Sequence, residues 1–268
     1  MWTGCFRSST KSGTSFPSMS NPSDHFSSEE QGVVRPVITR NTPRLGAAAV
    51  MIAPRGDFDL LKGRWEKSGN DIDRGLYLGT VTGKQGSFCA FGPLVGAPFA
   101  AMALETLTAW GARRFLFYGW CGSIDEAILP GELILPTAAF IDEGTSIHYG
   151  YALGDCVSAP PSNRQRMKSL LTAANLPYRE GSIWTTDAVY RETPSAIRHF
   201  RRLGALGVEM EVSALFSVAR YLQVELEAIL LVSDRVSPER WYPGFRDPAF
   251  LERRNEIVDL LAAWCHQP

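Results

Sequence analysis

Hydrophobic residues in this chain gather in short continuous runs bounded by glycine, a pattern typical of strands buried on both faces. The first run, LGAAAVMIA at 45–53, predicts such a strand. The runs GLYLGTVTG (75–83) and GSFCAFG (86–92) predict an antiparallel pair. Further strands are predicted at 113–122, 131–141, 181–190, 205–212 and 226–234. We expect the 113–122 strand to run into a tight turn, and the 131–141 strand to end or bend at Pro136.

Apolar residues at helical spacing mark the segments between these strands. Residues 96–110 predict a helix that ends at Gly111, a residue type favoured after a helix. Other helices are predicted at 197–203, from 212 through Tyr221, and at 248–264. Strands that alternate with helices indicate an α/β fold, here a single three-layer domain around a mixed sheet.

The first forty residues follow a different pattern. They are rich in Ser, Pro and Gly and have no apolar periodicity, so residues 1–40 are predicted to be a disordered N-terminal extension. The apolar central stretch of a secretory signal is missing from them. Residues 41–268 are predicted to form one folded domain.

Composition narrows the class of protein. A formal net charge of −1 disfavours a nucleic-acid partner, which needs clustered Lys and Arg. Five cysteines without paired spacing favour a reducing compartment, here the cytoplasm. No metal-binding motif occurs, and no apolar run approaches the about 18 residues of a membrane helix. We therefore expect no metal and no membrane partner.

Polar residues stand at three predicted strand ends, where α/β proteins place their ligand sites. They are Gly119-Trp120-Cys121-Gly122-Ser123, Glu209-Met210-Glu211 and Ser233-Asp234. The last two also have a plain structural explanation. A glutamate beside a helix start compensates the helix dipole, and a Ser-Asp pair before a loop is often a cap or turn.

Several motifs occur together in the order of one known family. The stretch 203–234, with V-E-M-E before a small-residue helix and an apolar strand ending in Ser-Asp, closely resembles the nucleoside phosphorylase superfamily. EGTSIHY (143–149) and WTTDAVYRET (184–193) resemble its uridine- and purine-cleaving members. The resemblance implies a partly barrel-like central sheet, cleavage of the N-glycosidic bond of a nucleoside, and a homo-oligomer. It implies no cofactor, with phosphate as co-substrate.

The resemblance also implies roles for individual residues, and the chemistry of ribosidic bond cleavage needs these residue types. Glu211 accepts from the vicinal ribose hydroxyls, with Met210 packed under the sugar and Glu209 near it. Asp234 is the general acid that protonates a departing purine. The remaining substrate contacts implied are Ser233, Gly119, Trp120, Cys121, Gly122, Thr186 and Arg246, where Ser233 orients Asp234 and Arg246 tunes it.

The phosphate-binding motifs depart from the family pattern. The segment that matches P-G-D-P-x-R is 54–60, which keeps Gly56 but lacks the arginine, leaving Arg55 as a substitute. In the segment that matches R-x-G-[ST]-x-G, Phe117 stands for arginine and Trp120 for the hydroxyl residue. Either phosphate binds through Arg55, Arg64 or an arginine of a neighbouring subunit, or water replaces phosphate as in the nucleosidases. We favour the phosphorylase.

Two other classes remain open. GWCGS also resembles a cysteine nucleophile elbow, with Cys121 as nucleophile and His148 or His199 as base. Pro130 arrives too soon for the long helix that an elbow needs. The other class is a nucleoside-binding module that has lost catalysis.

Overall fold

The computed structural model describes residues 32–65, 71–160 and 164–265, and within these ranges eleven strands belong to one sheet. The strands are β1 (Ala48–Ile52), β2 (Asp71–Leu76), β3 (Gly79–Lys84), β4 (Phe88–Gly92), β5 (Arg114–Ser123), β6 (Leu133–Asp142), β7 (Cys156–Ser158), β8 (Tyr178–Thr186), β9 (Ala205–Glu209), β10 (Glu225–Val236) and β11 (Trp241–Pro243). The helices are α1 (Arg55–Arg64), α2 (Ala97–Ala109), α3 (Arg164–Ala173), α4 (Pro194–Arg202), α5 (Val212–Leu222) and α6 (Pro248–Cys265).

Five of the strands close on themselves. β10 pairs with β5 and β6, β6 with β8, β8 with β9, and β9 with β5. The β10–β5, β6–β8 and β8–β9 pairs are parallel and the other two are antiparallel. β1 and β4 continue the sheet outward from β5 in parallel, and β3 and β2 add an antiparallel edge. The mixed, partly barrel-like sheet is confirmed.

Helices cover the sheet on both sides. α2 and α5 contribute to one apolar cluster with Phe115, Phe117 and Cys121 of β5. α1, α3 and α6 contribute to a second cluster with Leu116 and Tyr118 of the same strand. Because side chains alternate across a strand, β5 is buried from both faces. This confirms the three-layer architecture and explains the continuous apolar run.

The antiparallel pair predicted from 75–83 and 86–92 is confirmed as β3 and β4, but its first strand begins only at Gly79. Residues 75 and 76 belong to β2, because Tyr77 adopts a left-handed φ of 55° in the turn of the β2–β3 hairpin. β5 runs to Ser123, where it pairs with both β9 and β10, and the expected turn follows it, with the Ile128 N–H donating to the Asp125 carbonyl (3.1 Å). β6 continues beyond Pro136, and its register with β8 shifts between Pro136 and Ala138, since proline has no N–H to donate.

The helices predicted at 96–110, through Tyr221 and at 248–264 are confirmed as α2, α5 and α6. α4 begins three residues earlier than predicted, because the Thr193 hydroxyl accepts from the Ala196 N–H (3.3 Å) and caps it. The sequence interpretation missed α1 and α3. In the described part of the chain, no helix is long and apolar enough to cross a membrane.

The predicted disordered extension falls largely outside the described residues, which begin at 32. Residues 32–47 form neither helix nor strand. The carbonyl of Val37 nevertheless accepts a hydrogen bond from the indole of Trp110 on α2 (3.2 Å), so this stretch contacts the domain.

Candidate functional site

The ends of β5, β8, β9 and β10 meet at one edge of the barrel. Gly122 on β5 is paired with Val208 on one side and with Asp234 on the other. Thr185 at the end of β8 is paired with Glu209 at the end of β9. The three polar stretches singled out in the sequence are therefore brought together, as expected for strand ends in an α/β sheet.

Glu209 is held at the start of α5. Its Oε2 accepts from the backbone N–H groups of Glu211 (2.7 Å) and Val212 (2.9 Å), and its Oε1 accepts from the Thr185 hydroxyl. These contacts satisfy the exposed N–H groups of the first helical turn and complement its dipole. Glu209 therefore compensates the dipole of α5, as its structural explanation predicts, in addition to any contact with a substrate.

Glu211 is the N-cap residue of α5, yet its side chain turns away from the helix. Its Oε1 accepts from the backbone N–H of Gly96 (2.6 Å), in the segment that leads into α2. Both Glu209 and Glu211 are 5% exposed. Burial raises the pKa of both carboxyls, and their mutual repulsion adds to the rise for Glu209. Met210, half-buried, lies between them.

Glu143 is a buried carboxylate whose part in the site the sequence interpretation missed. It is 2% exposed and accepts from the Ser213 hydroxyl on α5 (2.9 Å) and from the backbone N–H of Ser146 (3.1 Å). Ser217, one turn further along α5, donates to the Ser146 hydroxyl (3.0 Å). These bonds fix the first turns of α5, and with them Glu211. The signal was present in the EGTS motif, but its role depends on packing that the sequence does not display.

Asp234 has a donor at each carboxylate oxygen. Ser233 Oγ donates to Oδ1 (2.6 Å) and Trp241 Nε1 donates to Oδ2 (2.7 Å). Gly122 leaves room for this arrangement, because a Cβ there would lie 3.1 Å from Oδ2 and 2.7 Å from Cγ2 of Val236. The sequence interpretation missed Trp241.

Arg246 does not reach Asp234. It is exposed, and in the described part of the chain no hydrogen bond or ion pair joins the two residues. The predicted contact is replaced by the indole of Trp241, which belongs to the strand β11 that pairs directly with β10.

Phe117 and Trp120 do not occupy one pocket. Phe117 is fully buried in the core shared with α2 and α5. Trp120 lies on the other face of β5, where its indole donates to Asp57 Oδ2 (2.8 Å). The two residues at the positions of the phosphate motif therefore point to opposite sides of β5, since successive odd and even positions of a strand face opposite sides. Gly119 is small because a Cβ there would lie 2.9 Å from the Phe117 ring.

Asp57 is the centre of a buried charge network on that other face. It is fully buried and also accepts from the Tyr118 hydroxyl (2.8 Å) and from Arg254 Nε on α6 (2.7 Å). Arg55 and Gly56, the candidate phosphate residues, begin α1 and are exposed. The first turn of α1 therefore offers solvent a cationic side chain, while the acidic side chain of the same turn is already paired.

Cys121 lies in a regular strand and is 2% exposed. Burial and the negative charges of Asp234 and Glu209 raise the pKa of its thiol well above the ordinary value. A nucleophile elbow requires a sharp turn and an accessible thiolate, so the cysteine-hydrolase interpretation is wrong. His199, one of the two proposed bases, is exposed on α4.

Thr186 ends β8 and is buried, and its hydroxyl accepts from the Ala188 N–H (3.3 Å). It stands next to Thr185, whose hydroxyl contacts Glu209 and accepts from the backbone N–H of Ser213 (2.9 Å). Among the described residues, no cluster of His, Cys, Asp and Glu has the arrangement of a metal site.

Comparisons with known proteins agree on one family. The family model described as "Phosphorylase superfamily" matches residues 66–261. A purine nucleoside phosphorylase DeoD-type from Clostridium novyi is 29% identical over 195 residues, covering 71% of this chain and 82% of that protein. One of the same name from Brevibacillus brevis is 30% identical over 190 residues, covering 69% and 77%.

Solved structures share the fold. The purine nucleoside phosphorylase from Toxoplasma gondii in complex with immucillin-H has a TM-score of 0.70 at 17% identity, covering 83% of this chain and 91% of that one. The AMP nucleosidase from Bacteroides thetaiotaomicron has a TM-score of 0.63 at 18% identity, covering 82% and 90%.

Proposed function

The chain belongs to the phosphorylase superfamily, and on that premise we propose that it is a nucleoside phosphorylase that acts on a purine or uridine-type nucleoside. It transfers the ribosyl group from the base to phosphate and so releases free base and ribose 1-phosphate. The observation that carries the proposal is the placement of Glu211 and Asp234 at the ends of two strands, β9 and β10, that both pair with β5.

Glu211 is the proposed ribose-binding carboxylate. Its backbone is fixed by α5 and one of its oxygens by Gly96, so it is held in place before substrate arrives. A carboxylate that accepts from the 2′- and 3′-hydroxyls orients the sugar and stabilises the positive charge that develops on it. Glu209 supports it by holding the Glu211 N–H, and Met210 offers an apolar surface for the sugar.

Asp234 is the proposed general acid. As the bond between C1′ and the base nitrogen breaks, its electron pair passes to the base, and the Asp234 carboxyl gives the base a proton. A phosphate oxygen forms the new bond to C1′. Ser233 orients the carboxyl, and Gly119, Cys121, Gly122 and Thr186 are the remaining proposed lining residues. Trp120, whose indole donates to Asp57 on the other face of β5, is not among them.

Phosphate is proposed to bind at the first turn of α1, through the Arg55 guanidinium and the backbone around Gly56. The neighbouring Asp57 does not oppose this anion, because Arg254 on α6 neutralises its charge. The proposed enzyme needs no metal or organic cofactor.

Three broader features are also proposed. Residues 41–268 form one catalytic domain, and the enzyme is a cytoplasmic homo-oligomer. The unpaired state of Cys89, Cys121, Cys156 and Cys265 supports a reducing compartment.

A nucleosidase that uses water is the second candidate, favoured by the burial of Phe117 where the family's arginine stands. Incubation with a panel of nucleosides, with and without phosphate, separates the two candidates. A phosphorylase gives ribose 1-phosphate only when phosphate is present, whereas a nucleosidase gives free ribose at a phosphate-independent rate. Release of no base from any nucleoside would contradict both.

A variant of the phosphate site sharpens this test. Arg55→Ala should raise the KM for phosphate by about tenfold, because one charge-assisted contact to the anion is lost. Arg198→Ala, which removes an exposed arginine on α4, is the matched control and should leave that KM unchanged. Equal behaviour of the two variants would show that phosphate binds elsewhere.

A further inference from the structure

The indole of Trp241 donates a hydrogen bond to the carboxylate of Asp234. β11 pairs antiparallel with β10, with Trp241 opposite Val236 and Pro243 opposite Asp234. Trp241 therefore stands diagonally across from Asp234 on the same face, within reach of a long side chain. Its Nε1 donates to Oδ2 at 2.7 Å, the distance of a charge-assisted hydrogen bond.

The two donors on Asp234 differ in what they can do. An indole N–H only donates, whereas a hydroxyl both donates and accepts. Ser233 Oγ lies 2.6 Å from Oδ1 and 3.2 Å from the Cys121 carbonyl oxygen. When Oδ1 is protonated, Ser233 can accept from it and donate to that carbonyl instead. Trp241 has no such exchange, so Oδ2 remains its acceptor in both protonation states.

The backbone that carries Trp241 is fixed independently of this bond. The Gly244 N–H donates to the Ser233 carbonyl (3.0 Å), and a Cβ at Gly244 would lie 2.5 Å from Pro130. The Trp241 ring also meets Phe245 edge-on, with centroids 6.1 Å apart. Trp241 is still 56% exposed, so apolar burial contributes little to holding its ring, and the hydrogen bond to Asp234 is its main polar contact.

We propose that Trp241 is a positioning residue for the general acid: its indole N–H fixes the rotation of the Asp234 carboxyl. This inference rests on the proposed function, in which Asp234 protonates the departing base. The family pattern placed an arginine in this role, and here an aromatic donor from β11 takes it.

Other titratable groups face Asp234 and must be separated from it in any pH experiment. Glu192, half-buried before α4, has a pKa raised to about 7 by burial and by the charge of Asp234. Cys121 on β5 interacts electrostatically with both Asp234 and Glu209. Glu209 is the last residue of β9, and Glu211 follows it at the start of α5. Arg235, next along β10, stacks on the Tyr242 ring.

The test compares Trp241→Phe, which keeps an aromatic ring but removes the donor, with Tyr242→Phe as the neighbouring control on β11. Trp241→Phe should lower kcat by about tenfold with little change in the KM for nucleoside, because one charged hydrogen bond that orients the acid is lost. A general acid is active when protonated, and loss of a donor to the carboxylate favours protonation. The high-pH limb of the kcat profile should therefore move up by about one pH unit.

Tyr242→Phe should change neither kcat nor that limb. Glu192→Gln removes the nearby titrating carboxyl. In that background, Trp241→Phe must still shift the high-pH limb of the kcat profile by the same amount. A lower kcat with an unmoved limb would mean that Trp241 is only structural, and an unchanged kcat would overturn the proposal as well.

A second readout does not need turnover. The tryptophan fluorescence of the wild type minus that of Trp241→Phe should change with pH as the Asp234 carboxyl titrates, and the change should vanish in Asp234→Asn. If the wild type releases no base but this coupling is present, the proposed function fails while the contact stands. If the wild type is active but the difference spectrum does not respond to Asp234, the positioning role fails by itself.

Discussion

The charge network around Asp57 yields a sharp prediction about stability. Asp57 is fully buried and accepts from Tyr118, Trp120 and Arg254. Asp57→Asn keeps the shape of the side chain but removes its charge. It also replaces an acceptor oxygen by an NH2 group, which then faces donors.

The expected loss of stability is large for a change of one atom. Arg254 is only 21% exposed at its side chain, so the substitution leaves a nearly buried guanidinium without its counter-charge. Removal of one partner from a buried ion pair costs about 3–5 kcal/mol. For a domain of this size the melting temperature should then fall by roughly 10 °C.

Thermal and urea unfolding of Asp57→Asn should be compared with Asp59→Asn, which changes an exposed aspartate in the same helix. The control should lie within about 0.5 kcal/mol of the wild type. The double variant Asp57→Asn, Arg254→Met should be more stable than the sum of the single effects predicts, since no unpaired charge remains. If Asp57→Asn were no less stable than Asp59→Asn, the network would contribute nothing and the reasoning would be refuted.

Three further predictions concern the site. Glu211→Gln should lower kcat/KM for nucleoside by about a hundredfold, because two hydroxyls lose a charged acceptor, and an unchanged value would remove Glu211 from the sugar site. Iodoacetamide should label exposed Cys156 before buried Cys121 in the folded protein, as followed by peptide mass spectrometry, and should leave activity intact. Since the folded pKa of Glu192 is raised to about 7, its contribution to stability is present at pH 4 and lost as pH rises to 7. The free energy of unfolding of the wild type relative to Glu192→Gln should therefore fall over that interval, and a flat difference would show that the carboxyl is not buried in solution.

The sequence predicts most of this fold because its strands are buried on both faces. The segment 115–122 carries no charged residue, and its short length and bounding glycine favour a strand inside a layered sheet. The pairing of the strands could not be predicted in this way. The barrel closes through only two residue pairs between β5 and β9, whose segments lie more than eighty residues apart along the chain. Periodicity reports which faces are buried and carries no information on which strand lies alongside.

Site residues could be predicted where the neighbouring sequence determines their position, and could not be predicted where their position depends on packing. Glu211 and Asp234 stand at the ends of apolar runs, so their position at the sheet edge could be inferred. Trp241 could not, because a half-exposed aromatic in a short edge strand has many ordinary explanations, and only the pairing of β11 with β10 brings it to Asp234. The direction of the Phe117 side chain could not be inferred either. Alternation along β5 decides which way a side chain points, and a linear motif does not display it.

The distribution of charge bears on how phosphate would reach this site. Cys121, on one face of β5, lies near the carboxyl groups of Asp234 and Glu209. On the other face Trp120 contacts Asp57, whose charge is cancelled by Arg254. A phosphate anion would meet a neutralised carboxylate and an exposed arginine on the second side, so we expect it to enter along the first turn of α1. A water nucleophile carries no charge, so its access does not depend on this difference between the two faces of β5. Dependence of the rate on an exposed arginine in α1 is therefore the property by which the two chemistries differ most.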